Sequence, residues 1–268
     1  MKNDTLRVPD ATLYYELRGS GPLLALIGSP MGTRFLAPLA DLLAADHTVL
    51  TTDPRGIGAS VLDDPESDSS AEQRADDLAR LLEHVDAGPA AVFGTSGGAV
   101  NALALVQRHP GLVHTVVAHE PPISEVLEDR EERRAAIEDI IATYEAGDVP
   151  GAWKKFLVNA GSPPPPPGQG EGAPPPDPQQ VADERYWFRH EMRGTTRYRP
   201  DVDALRASGA RIVIGLGEDS AGQLLDRTSH AVAALLGGKP VPFPGGHIAF
   251  VVDPAGFAPR LREVLRDA

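Results

Sequence analysis

An apolar strand that runs into a helix through glycine and serine leaves a chain few choices, and Ala91-Val92-Phe93-Gly94-Thr95-Ser96-Gly97-Gly98-Ala99 is such a stretch. In the pattern G-x-S-x-G the serine sits on a sharp strand-to-helix turn in strained backbone. The residues two before and two after it must then be small, as Gly94 and Gly98 are here. The turn exposes the Ser96 hydroxyl at the strand end. It also sets the Gly97 N–H at the start of a helix predicted over 97–108, where unpaired donors and the helix dipole favour developing negative charge. Ser96 is therefore a candidate nucleophile and Gly97 a candidate oxyanion donor. A capping serine in a glycine turn gives the same letters, but the apolar strand before and the helix after favour the nucleophile.

Strands and helices alternate around this turn. Leu6, Val8, Leu13, Tyr15 and Leu17 suggest an opening antiparallel hairpin with its turn at Pro9-Asp10, and Leu23–Ile27 reads as a buried strand. A tight loop at 28–32, a helix near 33–45, a strand at 47–53, a helix at 70–86, and a strand at 115–119 follow. Such alternation predicts an α/β chain with a mostly parallel central sheet covered by helices on both faces. After Pro122 the alternation stops for about eighty residues. Helices are expected at 124–146, around Trp153, Phe156 and Leu157, and at 179–193. A Gly- and Pro-rich loop at 161–178 carries five consecutive prolines, Pro163 to Pro167, and cannot pack as helix or strand. Strand periodicity resumes at 210–216, and a helix at 221–236, a strand at 240–243 and a helix at 254–266 complete the chain. The expected organisation is a core of 1–120 and 201–268 carrying a helical cap of 121–200 after its sixth strand.

With 268 residues and ordinary apolar content, the chain can bury one large core. The net charge of −13 argues against nucleic acid or an anionic membrane as partner. No cysteine is present, which excludes disulfides, thiolate catalysis and cysteine-ligated metals. The start of the chain has no apolar leader pattern and no run long enough to span a bilayer, so a cytoplasmic location is expected. No metal is expected, because His119 and Glu120 are adjacent and adjacent residues do not share a face. No dinucleotide is expected either, because Gly28-Ser29-Pro30-Met31-Gly32 lacks the G-x-G-x-x-G fingerprint.

A serine hydroxyl needs a base within reach, and histidine suits the task near neutral pH. Of eight histidines, His247 alone follows the last strand in a glycine-rich loop, Pro244-Gly245-Gly246-His247, where a parallel sheet gathers groups from its strand ends. Glu120 ends the apolar strand Val116-Val117-Ala118-His119 and should stand beside the Ser96 turn. Asp219, after the strand at 210–216, competes with it as the residue that orients the imidazole.

With the turn Asp53-Pro54-Arg55-Gly56-Ile57-Gly58-Ala59-Ser60, these motifs resemble those of α/β-hydrolase-fold serine hydrolases from Gly19 to nearly the end of the chain. His119-Glu120-Pro121-Pro122 is similar to the segment of zearalenone-lactonase-like members in which the triad acid is a glutamate. In the commoner pattern the acid stands three residues after a glycine, a place that Ser220 holds here. The resemblance implies Ser96, His247 and Glu120 as the triad, with Asp219 the alternative acid. It places the second oxyanion donor at Ser29, with Met31 behind it, because Pro30 has no N–H. It also implies a cofactor-free enzyme acting on an ester or lactone. The aromatic cluster of the insertion is either the core of a small helical subdomain or the lining of a pocket for a small apolar substrate, with Trp187, Tyr186, His190 and Met31 as the candidate binding residues. A cofactor-free haloperoxidase or perhydrolase, and a non-catalytic binding protein on the same fold, are the competing readings. A second copy of the chain is carried as a candidate partner.

Overall fold

The computed structural model describes residues 1–161 and 177–266, so most of the Pro-rich span 161–178 lies outside the described residues. A nine-stranded sheet organises the rest, in the order β1-β2-β4-β3-β6-β7-β8-β9, with the short β5 paired to β2. The opening hairpin is β1 (Lys2–Val8) and β2 (Ala11–Gly19), and β2 lies antiparallel to β4 (Thr48–Thr52). From β4 onward all neighbours are parallel: β3 (Leu23–Ile27), β6 (Ala90–Thr95), β7 (Val113–His119), β8 (Arg211–Gly217) and β9 (Val241–Phe243). The two-residue β5 (Val61–Leu62) is too short to leave a periodic signal, and it makes the long insertion follow β7 rather than a sixth strand.

The central strands β3 and β6 are buried along their whole length, which is why Leu23–Ile27 and Ala90-Ala91-Val92-Phe93 read as continuous apolar runs. Along β3, Leu23, Ala25 and Ile27 enter one apolar cluster while Leu24 and Leu26 enter the other. The first cluster is closed by α2 (Ala71–Val85), α3 (Gly97–Arg108), α8 (Val202–Ala207) and α9 (Leu224–Leu235), the second by α1 (Thr33–Leu43), α10 (Ala249–Val252) and α11 (Pro254–Arg266). In α1 the buried Leu36, Leu39, Ala40 and Leu43 recur at i, i+3, i+4 and i+7, the stripe a surface helix needs. In α2, Ser70 caps the first turn by accepting the Gln73 N–H at 3.2 Å.

The insertion departs from the expected helices at two places. One helix over 124–146 becomes a 3₁₀ turn at Ser124–Val126 and α4 (Arg130–Glu145), because Leu127 takes extended backbone. The helix expected at 179–193 is α6 (Pro178–Tyr186), a π turn at Trp187–Glu191 and α7 (Met192–Thr196). With α5 (Val149–Ala160), these helices form an apolar cluster of their own, centred on Ile137, Ile140, Ile141, Trp187, Phe188 and Met192. Among the described residues no helix is long and apolar enough to cross a membrane.

Candidate active site

The sheet order reverses between β3 and β6, since β3 leads through α1 toward β4 and β6 leads through α3 toward β7. Ligands of open parallel sheets bind at such a point, outside the strand C-termini. Ser96 makes the β6-to-α3 turn alone, at φ 55° and ψ −125°. This backbone costs a serine on the order of 1–3 kcal/mol. It is held because the Ser96 N–H donates to the His119 carbonyl at 3.0 Å and the Ser96 carbonyl accepts from the Ala99 N–H at 3.0 Å. A Cβ on Gly98 would lie 2.2 Å from the Ile27 carbonyl oxygen, and one on Gly94 would lie 2.5 Å from the Gly98 carbonyl oxygen. The two flanking glycines are therefore required by close backbone approach.

Glu120 follows β7 at φ 52°, and this kink turns a fully buried carboxylate toward the end of the neighbouring strand. Its Oε1 accepts the Gly217 N–H at 2.8 Å, and its Oε2 lies 2.6 Å from Nδ1 of His247. Burial alone would raise this carboxyl. The hydrogen bond from His247, the neighbouring imidazoles and the Ser220 hydroxyl outweigh it and hold the group below its ordinary value. An ionised carboxylate can only accept, so the proton of the pair belongs on Nδ1 and Nε2 is left as an acceptor.

Asp219, by contrast, is exposed in a 3₁₀ turn at Glu218–Ser220, and its carboxylate makes no hydrogen bond to His247. Nor does it cap the next helix, which begins at Leu224 after Gln223.

Ser96, Gly97, Ser29 and His247 line one cavity of about 300 Å³, with no direct hydrogen bond between Ser96 and His247. Catalytic hydrogen bonds of this type commonly tighten only around substrate. The insertion contributes Ile137, Phe156, Leu157, Trp187 and Met192 to the wall, and the core contributes Leu224, Leu225 and Ile248. Among the described residues no Asp, Glu, Lys or Arg lines it.

Of the residues expected to bind substrate, Trp187 lines this cavity and three others lie elsewhere. The side chain of Met31 packs against the apolar cluster under α1. Tyr186 and His190 stand one turn apart and meet the 66–68 segment instead. The Tyr186 hydroxyl donates to the Ser67 carbonyl at 3.2 Å, and His190 Nδ1 lies 2.9 Å from Asp68. Leu224 and Leu225 in the cavity wall could not be told in sequence from core leucines of a helix. Glu191, whose carboxylate accepts the Ser29 hydroxyl, gave no signal beyond one more charge in a helix.

Contrary to expectation, adjacent His119 and Glu120 do converge, because the positive φ at Glu120 turns the chain. Ligand atoms of His119, Glu120 and His247 all lie within 4.8 Å of one another. Both carboxylate oxygens of Glu120 are already engaged, and the fully buried His119 ring sits among Phe93, Phe243, Phe250 and Phe257. Burial lowers the His119 imidazole to about 4, so it is neutral near pH 7.

A family model described as alpha/beta hydrolase fold matches residues 21–144. The chain is 30% identical over 273 residues to the uncharacterized hydrolase YraK of Bacillus subtilis (strain 168), covering 99% of this chain and 96% of that protein. It is 30% identical over 166 residues to a zearalenone hydrolase of Bionectria ochroleuca, covering 56% of this chain and 61% of that one. In fold it is similar to an alpha/beta hydrolase from Sphaerobacter thermophilus DSM 20745, with a TM-score of 0.68 at 24% identity over 98% of this chain and 100% of that one.

Proposed function

The chain belongs to the alpha/beta hydrolase family and is a hydrolase, and from that premise we propose that it is a cofactor-free serine hydrolase cleaving a neutral, mostly apolar carboxylic ester or lactone. One observation carries the reading: an ionised, buried Glu120 stands 2.6 Å from His247 Nδ1, with His247 and the strained Ser96 on the wall of one cavity whose described lining holds no Asp, Glu, Lys or Arg. Likeness to a zearalenone hydrolase supports the lactone side of the substrate class.

In this reading Ser96 Oγ attacks the carbonyl carbon while its proton passes to His247 Nε2. The negative charge that develops on the carbonyl oxygen is held by the N–H groups of Gly97 and Ser29. Collapse of the tetrahedral intermediate breaks the C–O bond, and the imidazolium returns its proton to the leaving oxygen. In a lactone that oxygen stays tethered to the acyl group. A water, deprotonated by the same imidazole, then attacks the acyl-enzyme, releases the acid and restores Ser96. Glu120 orients His247 and offsets its transient charge. The segment 121–200 serves as a cap over the core formed by 1–120 and 201–268, and its aromatic and aliphatic side chains exclude water from the carbonyl.

The test is a panel of neutral esters and lactones with purified protein, together with fluorophosphonate labelling. Wild type should turn over members of the panel and take one label on Ser96. Ser96→Ala should fold normally, take no label and lose more than about a hundredfold in kcat. Retention of activity by Ser96→Ala overturns the mechanism. Absence of label in the wild type would favour a binding protein, and peroxide-dependent halogenation exceeding hydrolysis would favour a perhydrolase.

A further inference from the structure

Behind the loop that carries Ser29 lies a buried polar network that the triad does not use. Glu191 ends the π turn 187–191 and is 1% exposed. One oxygen of its carboxylate accepts the Ser29 hydroxyl, and the other has no hydrogen-bond partner among the described residues. The nearby cation is Arg74 of α2, itself 3% exposed. It donates to Asn101 Oδ1 on α3 at 3.1 Å, to the Ser69 carbonyl at 3.1 Å and to the Thr195 hydroxyl on α7 at 2.7 Å. Burial lowers the Arg74 guanidinium, and Glu191 is the largest of the charges that hold it up. Arg74 thus ties the helix that follows Ser96 to the inserted helices, and Glu191 ties those helices to the Ser29 loop, with no ion pair formed between the two charges.

Such a carboxylate is costly, because burial removes its hydration and one oxygen recovers no hydrogen bond from the described residues. Stability alone does not account for it. An oxyanion hole, however, needs both donors 2.7–3.1 Å from one point, and small displacements of either weaken the hole steeply. The far end of the loop is anchored by Asp53, which accepts from the Thr33 N–H at 2.7 Å and the Thr33 hydroxyl at 2.9 Å. The near end is anchored by Glu191. A Cβ on Gly97 would lie 2.8 Å from the Ser29 carbonyl oxygen, so the two donor-bearing residues are already in contact.

We propose that Glu191 is a positioning residue, which through the Ser29 hydroxyl sets the Ser29 N–H against that of Gly97 and so ties the oxyanion hole to the inserted helices. The proposal rests on the serine-hydrolase reading above. It goes beyond that reading in making a residue outside the triad a determinant of transition-state stabilisation.

The experiment compares Ser29→Ala, Glu191→Ala, the double variant and Glu191→Gln in the full chain. It measures kcat and KM on a neutral ester, inhibition by an alkyl boronic acid, and the rate of fluorophosphonate labelling. The boronate forms a tetrahedral adduct on Ser96 and places an oxygen in the hole, so it reads the hole directly. Each alanine variant should lose about tenfold in kcat and in boronate affinity, less than the about 10²- to 10³-fold cost of deleting a donor outright. KM should change by less than about twofold. The double variant should lose no more than the worse single one, because both remove the same link. Glu191→Gln keeps an amide oxygen that accepts the Ser29 hydroxyl and should recover most of the loss. Wild-type kcat and boronate affinity in either folded alanine variant overturn the proposal, as does an additive double variant or a change confined to KM. If Glu191→Ala does not fold, Ser29→Ala alone decides, since its backbone donor is retained. A wild type that takes no label overturns the serine-hydrolase reading instead, so the two failures are distinct.

Discussion

Replacing Glu120 by glutamine tests the orientation of His247 at nearly constant volume, and the structure dictates which way the amide must face. One carboxylate oxygen accepts the Gly217 N–H at 2.8 Å and the other meets His247 Nδ1 at 2.6 Å. Turning the amide NH₂ toward Gly217 would set donor against donor in a buried place. The amide oxygen therefore stays on Gly217, and the NH₂ faces His247. Nδ1 must then accept, which moves the imidazole proton to Nε2, the atom that has to take the proton of Ser96. The negative charge that offsets the imidazolium is lost as well. Wrong tautomer and lost charge together are expected to cost about 10³- to 10⁴-fold in kcat, or about 4 to 5.5 kcal/mol at roughly 1.4 kcal/mol per decade. Asp219→Asn is the control: its exposed carboxylate makes no hydrogen bond to His247, and kcat should stay within about twofold. Both variants are assayed by initial rates on an activated ester, with thermal unfolding to show that each is folded. A folded Glu120→Gln within tenfold of wild type, or a comparable loss in Asp219→Asn, refutes the reasoning.

Gly98→Ala puts a methyl 2.2 Å from the Ile27 carbonyl oxygen, where backbone must shift, and should destabilise the chain by at least about 1–3 kcal/mol in urea unfolding; a wild-type midpoint would mean the turn has room. His119, beside Glu120 and His247, takes its proton only near pH 4 when folded, against 6.5 as its ordinary value. Between those values the unfolded chain binds more protons, so stability rises with pH across the window and is lost on acidification, by up to about 3 kcal/mol. Glu120, held below its ordinary value, adds loss in the same direction at lower pH. His119→Phe keeps a ring among Phe93, Phe243 and Phe257 and should flatten the stability profile between pH 4 and 6.5, and an unchanged slope would refute the account.

The fold class was legible because its cause is local. Strands buried on two faces must be continuously apolar, surface helices must carry a stripe, and a serine in strained backbone must have glycine on both sides. The opening hairpin, the parallel strands and the Ser96 turn follow from those patterns. Short or irregular pieces were not legible: two residues of β5 show no period, and the π turn at 187–191 interrupts the period on which the reading of 179–193 relied. The site divides in the same way. Ser96, His247 and Glu120 could be named as candidates because each ends a strand on the edge where a parallel sheet collects its functional groups. What joins groups far apart in the chain was open until tertiary structure decided it. In sequence Glu120 and Asp219 were two carboxylates after two strands; in space a positive φ turns the first onto His247 and a 3₁₀ turn leaves the second in solvent. Tyr186, Trp187 and His190 formed one polar-aromatic cluster along the chain, yet the helix sends Trp187 to the cavity and the other two away from it. Glu191 meets Ser29 across 162 positions. Periodicity records which face of an element is buried, but only the packing of one element on another determines what that face meets.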